Sequence, residues 1–330
     1  PGRAAAGQSA KGAAGHTAGA AGAVASRLAR RSGGGREAGD WRARLPAPGR
    51  TQDMAPSRRQ TLLPAAVLLC GGAVSCAGIQ PSMGAAPEAI TLNTRWRSGT
   101  GPDTAQHSGT VEWAVSDTAI IVCDMWDDHW CRGAAQRVAE LAGPMHRLLA
   151  EARERGVVVL HAPSSVGDFY AGTEQRHRAQ EAPFSPTPVP LSDAERWGTN
   201  WCWPDPDREP GLPIDDSDMG CDCPTKCEIR EAWTRQNEQI EIAQQDAISH
   251  DGQETWNLLA EREIDNVILV GVHLNMCVLG RPFGIRQMVH LGKNVVLLRD
   301  MTDSMYDHRM RPFVDHFAGH DLVIEHVEQP

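Results

Sequence analysis

The sequence predicts a three-layer α/β/α domain built on a mostly parallel sheet of about six strands, and three observations predict it. Thr118 to Cys123 (TAIIVC), Val157 to Leu160 and Val267 to Val270 are short, unbroken apolar runs rich in β-branched residues, as in strands buried on both faces. The stretches between them carry apolar residues at helical spacing. Each run then breaks off at a polar or small residue, namely Asp124, His161 and Gly271. In such sheets ligands bind beyond the carboxyl ends of the strands, so the chemistry is expected along one edge.

The elements follow in order. Pro1 to Asp53 is dominated by Ala, Gly and Arg, has no periodicity, and lacks the large apolar side chains that could offset the entropy of ordering. It is read as a disordered low-complexity extension. Met54 resembles a translation start, so 1–53 is a candidate for sequence upstream of the translated protein. Residues 54–78 have the layout of a signal peptide: basic Arg58 and Arg59, an apolar run from Leu62 to about Val74, then small residues. SRRQTLL (Ser57 to Leu63) resembles a twin-arginine export signal, and AVSC (Ala73 to Cys76) a lipoprotein cleavage box. The expectation is export to the periplasm or envelope, with a lipid anchor at Cys76 as the sole membrane attachment. A cytoplasmic protein is the alternative.

Residues 79–116 read as a linker with one edge strand near Thr91 to Trp96, and 117–330 as the folded domain. Gln136 to Arg155 places Val138, Leu141, Ala142, Met145, Leu148, Leu149 and Ala152 on one helical face and stops at Gly156. Later come a helix over Glu254 to Glu263, the strand from Val267, a helix over Cys277 to Leu291, a strand over Val295 to Leu298 and a last strand at Leu322 to Ile324. The pattern fails over about 163–239. This Pro-rich segment contains Trp197, Trp201, Trp203 and acidic Asp215 to Asp218, and is expected to be an ordered insertion packed near the site.

The formal net charge is −10, yet Pro1 to Asp53 carries nine Arg and Lys against three Asp and Glu, so the remainder stands at −16. An acidic body repels phosphate backbones and anionic lipid, which argues against nucleic acid as a partner. Seven cysteines follow the signal region: Cys123, Cys131, Cys202, Cys221, Cys223, Cys227 and Cys277. The cluster Cys202, Cys221, Cys223 and Cys227 reads as disulfide-paired or free thiols ahead of a zinc knot, because its C-x-C-x3-C spacing lacks the usual C-x2-C pair.

Gly271 to Cys277 reads GVHLNMC. A cysteine at the start of a helix lies against unpaired backbone N–H groups and the positive end of the dipole. Both favour thiolate, and the same N–H groups suit an oxyanion. A buried structural cysteine is the alternative.

TAIIVCDMWDDHW and GVHLNMCV resemble the first and fourth strand motifs of the isochorismatase-like cysteine hydrolase superfamily, whose members include nicotinamidases and isochorismatases. The resemblance covers roughly Asp117 to Asp303, apart from the insertion, and implies a Rossmann-like hydrolase fold. It makes Asp124 the general base and Cys277 the nucleophile of an amide (C–N) hydrolysis through a thioester. It also implies an oxyanion hole from the N–H groups of His273 and Cys277, with a cis bond between Val272 and His273. The superfamily's lysine is missing: IEIAQQDAISHDGQETW, where it belongs, has none, and the chain holds only Lys11, Lys226 and Lys293. Lys226 and Arg281 are the candidate replacements. Trp126, Trp130, His161 and Asn275 are candidate substrate contacts. No cofactor is expected; the weaker alternative is the zinc of nicotinamidases, for which Asp128, His129 and His161 are the nearest residues.

The expected partner is a small molecule, with self-association common in such folds. Two alternatives stand: an isochorismatase-type vinyl ether hydrolase that does not use Cys277, and a binding protein that lost turnover with the lysine. Under the amidase reading, Cys277→Ala abolishes hydrolysis and Asp124→Asn leaves Cys277 poorly reactive toward iodoacetamide.

Overall fold

The computed structural model describes residues 88–99 and 103–329. The extension over 1–53, the export signal over 54–78 and the lipidation site at Cys76 lie outside those residues. Among the described residues no helix is long and apolar enough to cross a membrane.

The segment expected to be a linker with one edge strand is instead a hairpin. Ala89–Ser98 (β1) pairs antiparallel with Ala105–Ala114 (β2) in a two-stranded sheet of their own. Polar residues alternate along both strands, which suits a ribbon with one face in solvent. Ile90, Leu92 and Trp113 pack inward, and Arg95 and Arg97 both pair with Glu328 near the chain's end.

The domain continues through Thr118–Cys123 (β3), Arg132–Arg155 (α1), Val158–Ala162 (β4), Glu174–Glu181 (α2), the small hairpin Glu195–Arg196 (β5) and Thr199–Asn200 (β6), and Ala247–Ile248 (β7). Then come Gly252–Glu261 (α3), Asn266–Val272 (β8), Ile285–His290 (α4), Asn294–Asp303 (β9) and His316–Val327 (α5). The main sheet runs β7-β4-β3-β8-β9, every pair parallel.

Side-chain alternation in β3 shows why the fold has three layers. Ile120 and Val122 face α1, where Val138, Met145 and Leu149 meet them, while Ala119 and Ile121 share a second cluster with Leu258 and Leu259 of α3, Met288 of α4 and Val323 of α5. Burying each such side chain contributes about 1.5–3 kcal/mol, so a strand without polar interruption is held from both sides.

Two expectations change. The sheet has five strands rather than about six, because Leu322 to Ile324 lies inside α5. Three apolar residues suit either period; Asp315 decides, its carboxylate accepting the N–H groups of Phe317 and Ala318 and starting a helix that buries Val323 and Ile324. The continuous helix expected from Cys277 to Leu291 is also broken. Pro282 lacks an N–H and Gly284 adopts extended backbone, so a five-residue π-turn, Leu274–Val278, is separated from α4.

The insertion is ordered throughout, with Trp201 buried in the core. Its cysteines are partly regrouped: Cys221, Cys223 and Cys227 lie with Cys131, whereas Cys202 sits elsewhere, its N–H bonded to the Gly280 carbonyl.

His161, expected to reach substrate, is fully buried beneath the site. Nδ1 lies 2.8 Å from the Gln236 amide oxygen and Nε2 3.0 Å from the Asp246 carboxylate. That carboxylate also accepts two bonds from Arg153 of α1, at 2.9 and 2.7 Å, and the N–H of Ala243. Burial acts to raise the Asp246 pKa, but His161 and Arg153 outweigh it and hold it below the ordinary value of 3.8. Its stabilisation is therefore complete above pH 3.8 and is lost as pH falls through the lower folded value. Asp246→Ala removes the acceptor of His161, Arg153 and the Ala243 N–H and is expected to cost about 3–5 kcal/mol. Urea unfolding at neutral pH measures this, and a loss below about 1 kcal/mol would show the network to be idle.

Candidate active site

Three buried groups converge where β3 and β8 end. Asp124 follows the last residue of β3 with φ 47°, a left-handed conformation that aspartate tolerates better than most side chains. Its Oδ1 accepts the Ser164 N–H at 2.6 Å, and Oδ2 lies 3.4 Å from Nε of Arg281. On β8, Gly271 (φ 104°) comes so close to β3 that a Cβ would stand 2.0 Å from the Cys123 carbonyl oxygen, so only glycine fits. The Val272–His273 peptide is cis, as expected. The π-turn that follows, closed by Val278 N–H to the His273 carbonyl at 3.2 Å, carries Cys277 to the cavity wall.

Arg281 arrives through the same backbone. Its N–H donates to the Cys277 carbonyl at 2.9 Å, one helical turn on, and residues four apart share a face. The charges of Asp124 and Arg281 both act on the Cys277 thiol, and Arg281 also bonds the Thr199 hydroxyl on β6. Arg281 therefore places a cation beside Cys277. Lys226 does not: Asp218 and Asp307 hold its ammonium beside a separate hollow.

Burial pushes the Cys277 thiol up to about 12; Arg281 opposes the rise, and the negative charge of Asp124 with its hydrogen bond adds to it. Burial works against the Arg281 charge too, yet Cys277 and Asp124 hold its pKa above the ordinary value. The resting sulfur thus keeps its proton. The arrangement can move that proton to Asp124 while a permanent cation steadies the thiolate.

Cys277 and Arg281 border a cavity of about 620 Å³, within the usual size for a small-molecule site, and Asp124 is fully buried beside Arg281. Trp126 and Trp130 line it as expected, and Trp233 of the insertion stacks on Trp126 with ring centroids 4.4 Å apart. Burial lowers the pKa of His129 to about 4 and that of His273 well below the ordinary value, so both are neutral at pH 7. Nε2 of His273, Nδ1 of His250 and Nε1 of Trp233 are buried without a hydrogen-bond partner among the described residues. They are ready-made contacts for a polar ligand atom. His250, Trp233, Thr199 and Ser164 are site residues that sequence reasoning missed; the only signal was the tryptophan-rich insertion.

Other candidates are engaged elsewhere. Asn275 is buried away from the cavity, its amide bonded to the Met305 backbone and to Asp216, so it anchors the turn. Asp128, His129 and His161 do not converge: Asp128 pairs with Arg230 at 3.7 Å, Nδ1 of His129 accepts the Cys131 N–H, and both His161 nitrogens are bonded. These three residues do not fit a zinc ion.

No protein-family model and no curated protein matches the chain. Among solved structures it is similar to a cysteine hydrolase from Pseudomonas syringae pv. phaseolicola, at 18% identity over 66% of this chain and 86% of that one, with a TM-score of 0.39. It is also similar to an isochorismatase family protein from Desulfovibrio vulgaris, at 18% identity over 63% and 87% of the two chains, with a TM-score of 0.36.

Proposed function

We propose that this chain is a hydrolase of the isochorismatase-like superfamily that cleaves the amide C–N bond of a small, flat molecule, as nicotinamidases do, through a thioester on Cys277. One observation carries the reading: Cys277 lines a cavity beside the buried Asp124–Arg281 ion pair, whose carboxylate and guanidinium both act on its thiol.

As the sulfur attacks the carbonyl carbon, Asp124 takes the thiol proton, a carbon–sulfur bond forms and the carbonyl π pair moves to oxygen. The N–H groups of Cys277 and His273 are assigned to that oxyanion. Its collapse breaks the C–N bond, and Asp124 returns the proton to the departing nitrogen. Water then attacks the thioester, giving one proton to Asp124, which passes it back to the sulfur as the acid leaves. Arg281 keeps its charge throughout and favours each state in which sulfur is anionic. The tryptophan wall supports a planar substrate, and the uncharged histidines a neutral one.

Trapping tests the thioester. Incubation with a panel of aryl amides that includes nicotinamide, followed by acid quench and intact-mass measurement, is expected to show the acyl group of the turned-over amide on Cys277. Added hydroxylamine is expected to divert product to the hydroxamate. Turnover with neither adduct nor hydroxamate would reject the thioester. Failure of every amide, with tight binding of one, would favour the binding-protein reading.

A further inference from the structure

A second cluster of sulfur atoms lies apart from the nucleophile, where the insertion meets the start of α1. The sulfurs of Cys131, Cys221 and Cys223 all lie within 4.8 Å of one another, and those of Cys131 and Cys223 are 3.8 Å apart. A tetrahedron of thiolates around zinc, with Zn–S of about 2.3 Å, has S···S edges of about 3.8 Å. The Cys227 thiol interacts with those of Cys221 and Cys223, outside the tight group of three, and a side-chain rotation would bring it in as the fourth sulfur.

The surroundings are built for thiolate. Cys131 caps α1, and the Gly133 N–H in its first turn donates to the Cys223 sulfur at 3.3 Å, at the positive end of the helix dipole. A Cβ at Gly133 would stand 2.6 Å from the Asp222 carboxylate, so the loop packs close against the start of the helix. That loop is also gripped from behind: Arg309 donates to the carbonyls of Cys221 at 3.1 Å and Cys223 at 3.0 Å, and Asp222 pairs with Arg137 at 2.8 Å. Sulfurs this close cannot all ionise without a cation between them.

We propose that Cys131, Cys221, Cys223 and Cys227 bind one zinc ion through four thiolates. With four sulfurs and no place left for water, the site is structural. It pins the insertion to the start of α1, next to His129 and Trp130, and so holds that wall of the cavity. The proposal is independent of any activity at Cys277.

Metal analysis of the full chain purified from zinc-supplemented cells is the test, with one zinc per chain expected. Mercurial titration of the native protein should release it as four thiols react, and cobalt exchange should give the strong thiolate-to-cobalt absorption of a tetrahedral site. Cys131→Ser and Cys223→Ser should lose the ion, while Cys202→Ser and Cys277→Ala keep it. Because the first two variants risk misfolding, the wild-type measurements suffice alone. Wild-type protein without bound metal would overturn the proposal, whether the four thiols are free or joined as two disulfides four hydrogens lighter. So would a coloured iron–sulfur cluster, or zinc that survives both Cys131→Ser and Cys223→Ser.

Discussion

Replacing Cys277 by alanine is expected to lower kcat for the best amide substrate by on the order of 10⁴-fold or more, the scale seen when a hydrolase loses its nucleophile. Among the described residues no other cysteine lines the cavity. Cys123, adjacent in space, is fully buried, its thiol is raised well above the ordinary value first by burial and then by the charge of Asp124, and its S–H points to the Val272 carbonyl. The substitution removes one sulfur from a packed turn and leaves the Asp124–Arg281 pair in place, so folding and binding should survive. Quenching of the cavity tryptophans Trp126, Trp130 and Trp233 by substrate would verify that the site still fills. A kcat within about tenfold of wild type would mean that bond cleavage does not pass through sulfur, as in the vinyl ether branch.

Asp124→Asn separates proton transfer from sulfur ionisation. Hydrolysis is expected to fall by roughly 10²–10⁴-fold, since no group remains to carry the proton from thiol to leaving nitrogen. Asparagine tolerates the left-handed backbone of Asp124 and can still accept the Ser164 N–H, so the site should keep its shape. Sequence reasoning expects iodoacetamide to react poorly with this variant. The charges around the thiol favour the opposite outcome. The carboxylate itself helps hold the Cys277 thiol up at about 12, through its charge and its hydrogen bond, while Arg281 pulls it down. With the negative charge gone and Arg281 unopposed, the thiol pKa falls and alkylation at a fixed pH should become faster. Hydrolysis and alkylation therefore move in opposite directions, which the pH dependence of both rates can show. If alkylation slows in step with hydrolysis, Asp124 is placing the sulfur rather than taking its proton.

Much of the fold was legible because burial is written locally. After Thr118, TAIIVC is apolar at every position, as is the run from Val267 to Val270, and short β-branched runs of this kind suit a strand covered on both faces. Their ends place Asp124 and Cys277 at one edge of the sheet, which is as far as strand order can take the argument. The helix on the Val138 face and its end at Gly156 were likewise plain. Short or alternating segments were not: β1 needs its hairpin partner to be recognised, and Leu322 to Ile324 fits either period until Asp315 caps a helix.

Tertiary structure alone chose between Lys226 and Arg281, sent His161 beneath the sheet edge to Asp246, and exchanged Cys202 for Cys131 in the sulfur cluster. The physical reason is common to all three. A residue's period and polarity state whether it will be buried, and that follows from its near neighbours in the chain. Which charge or sulfur it meets there depends on groups up to 157 positions away, as between Asp124 and Arg281, and only the packing of β3, β8 and the insertion brings them together.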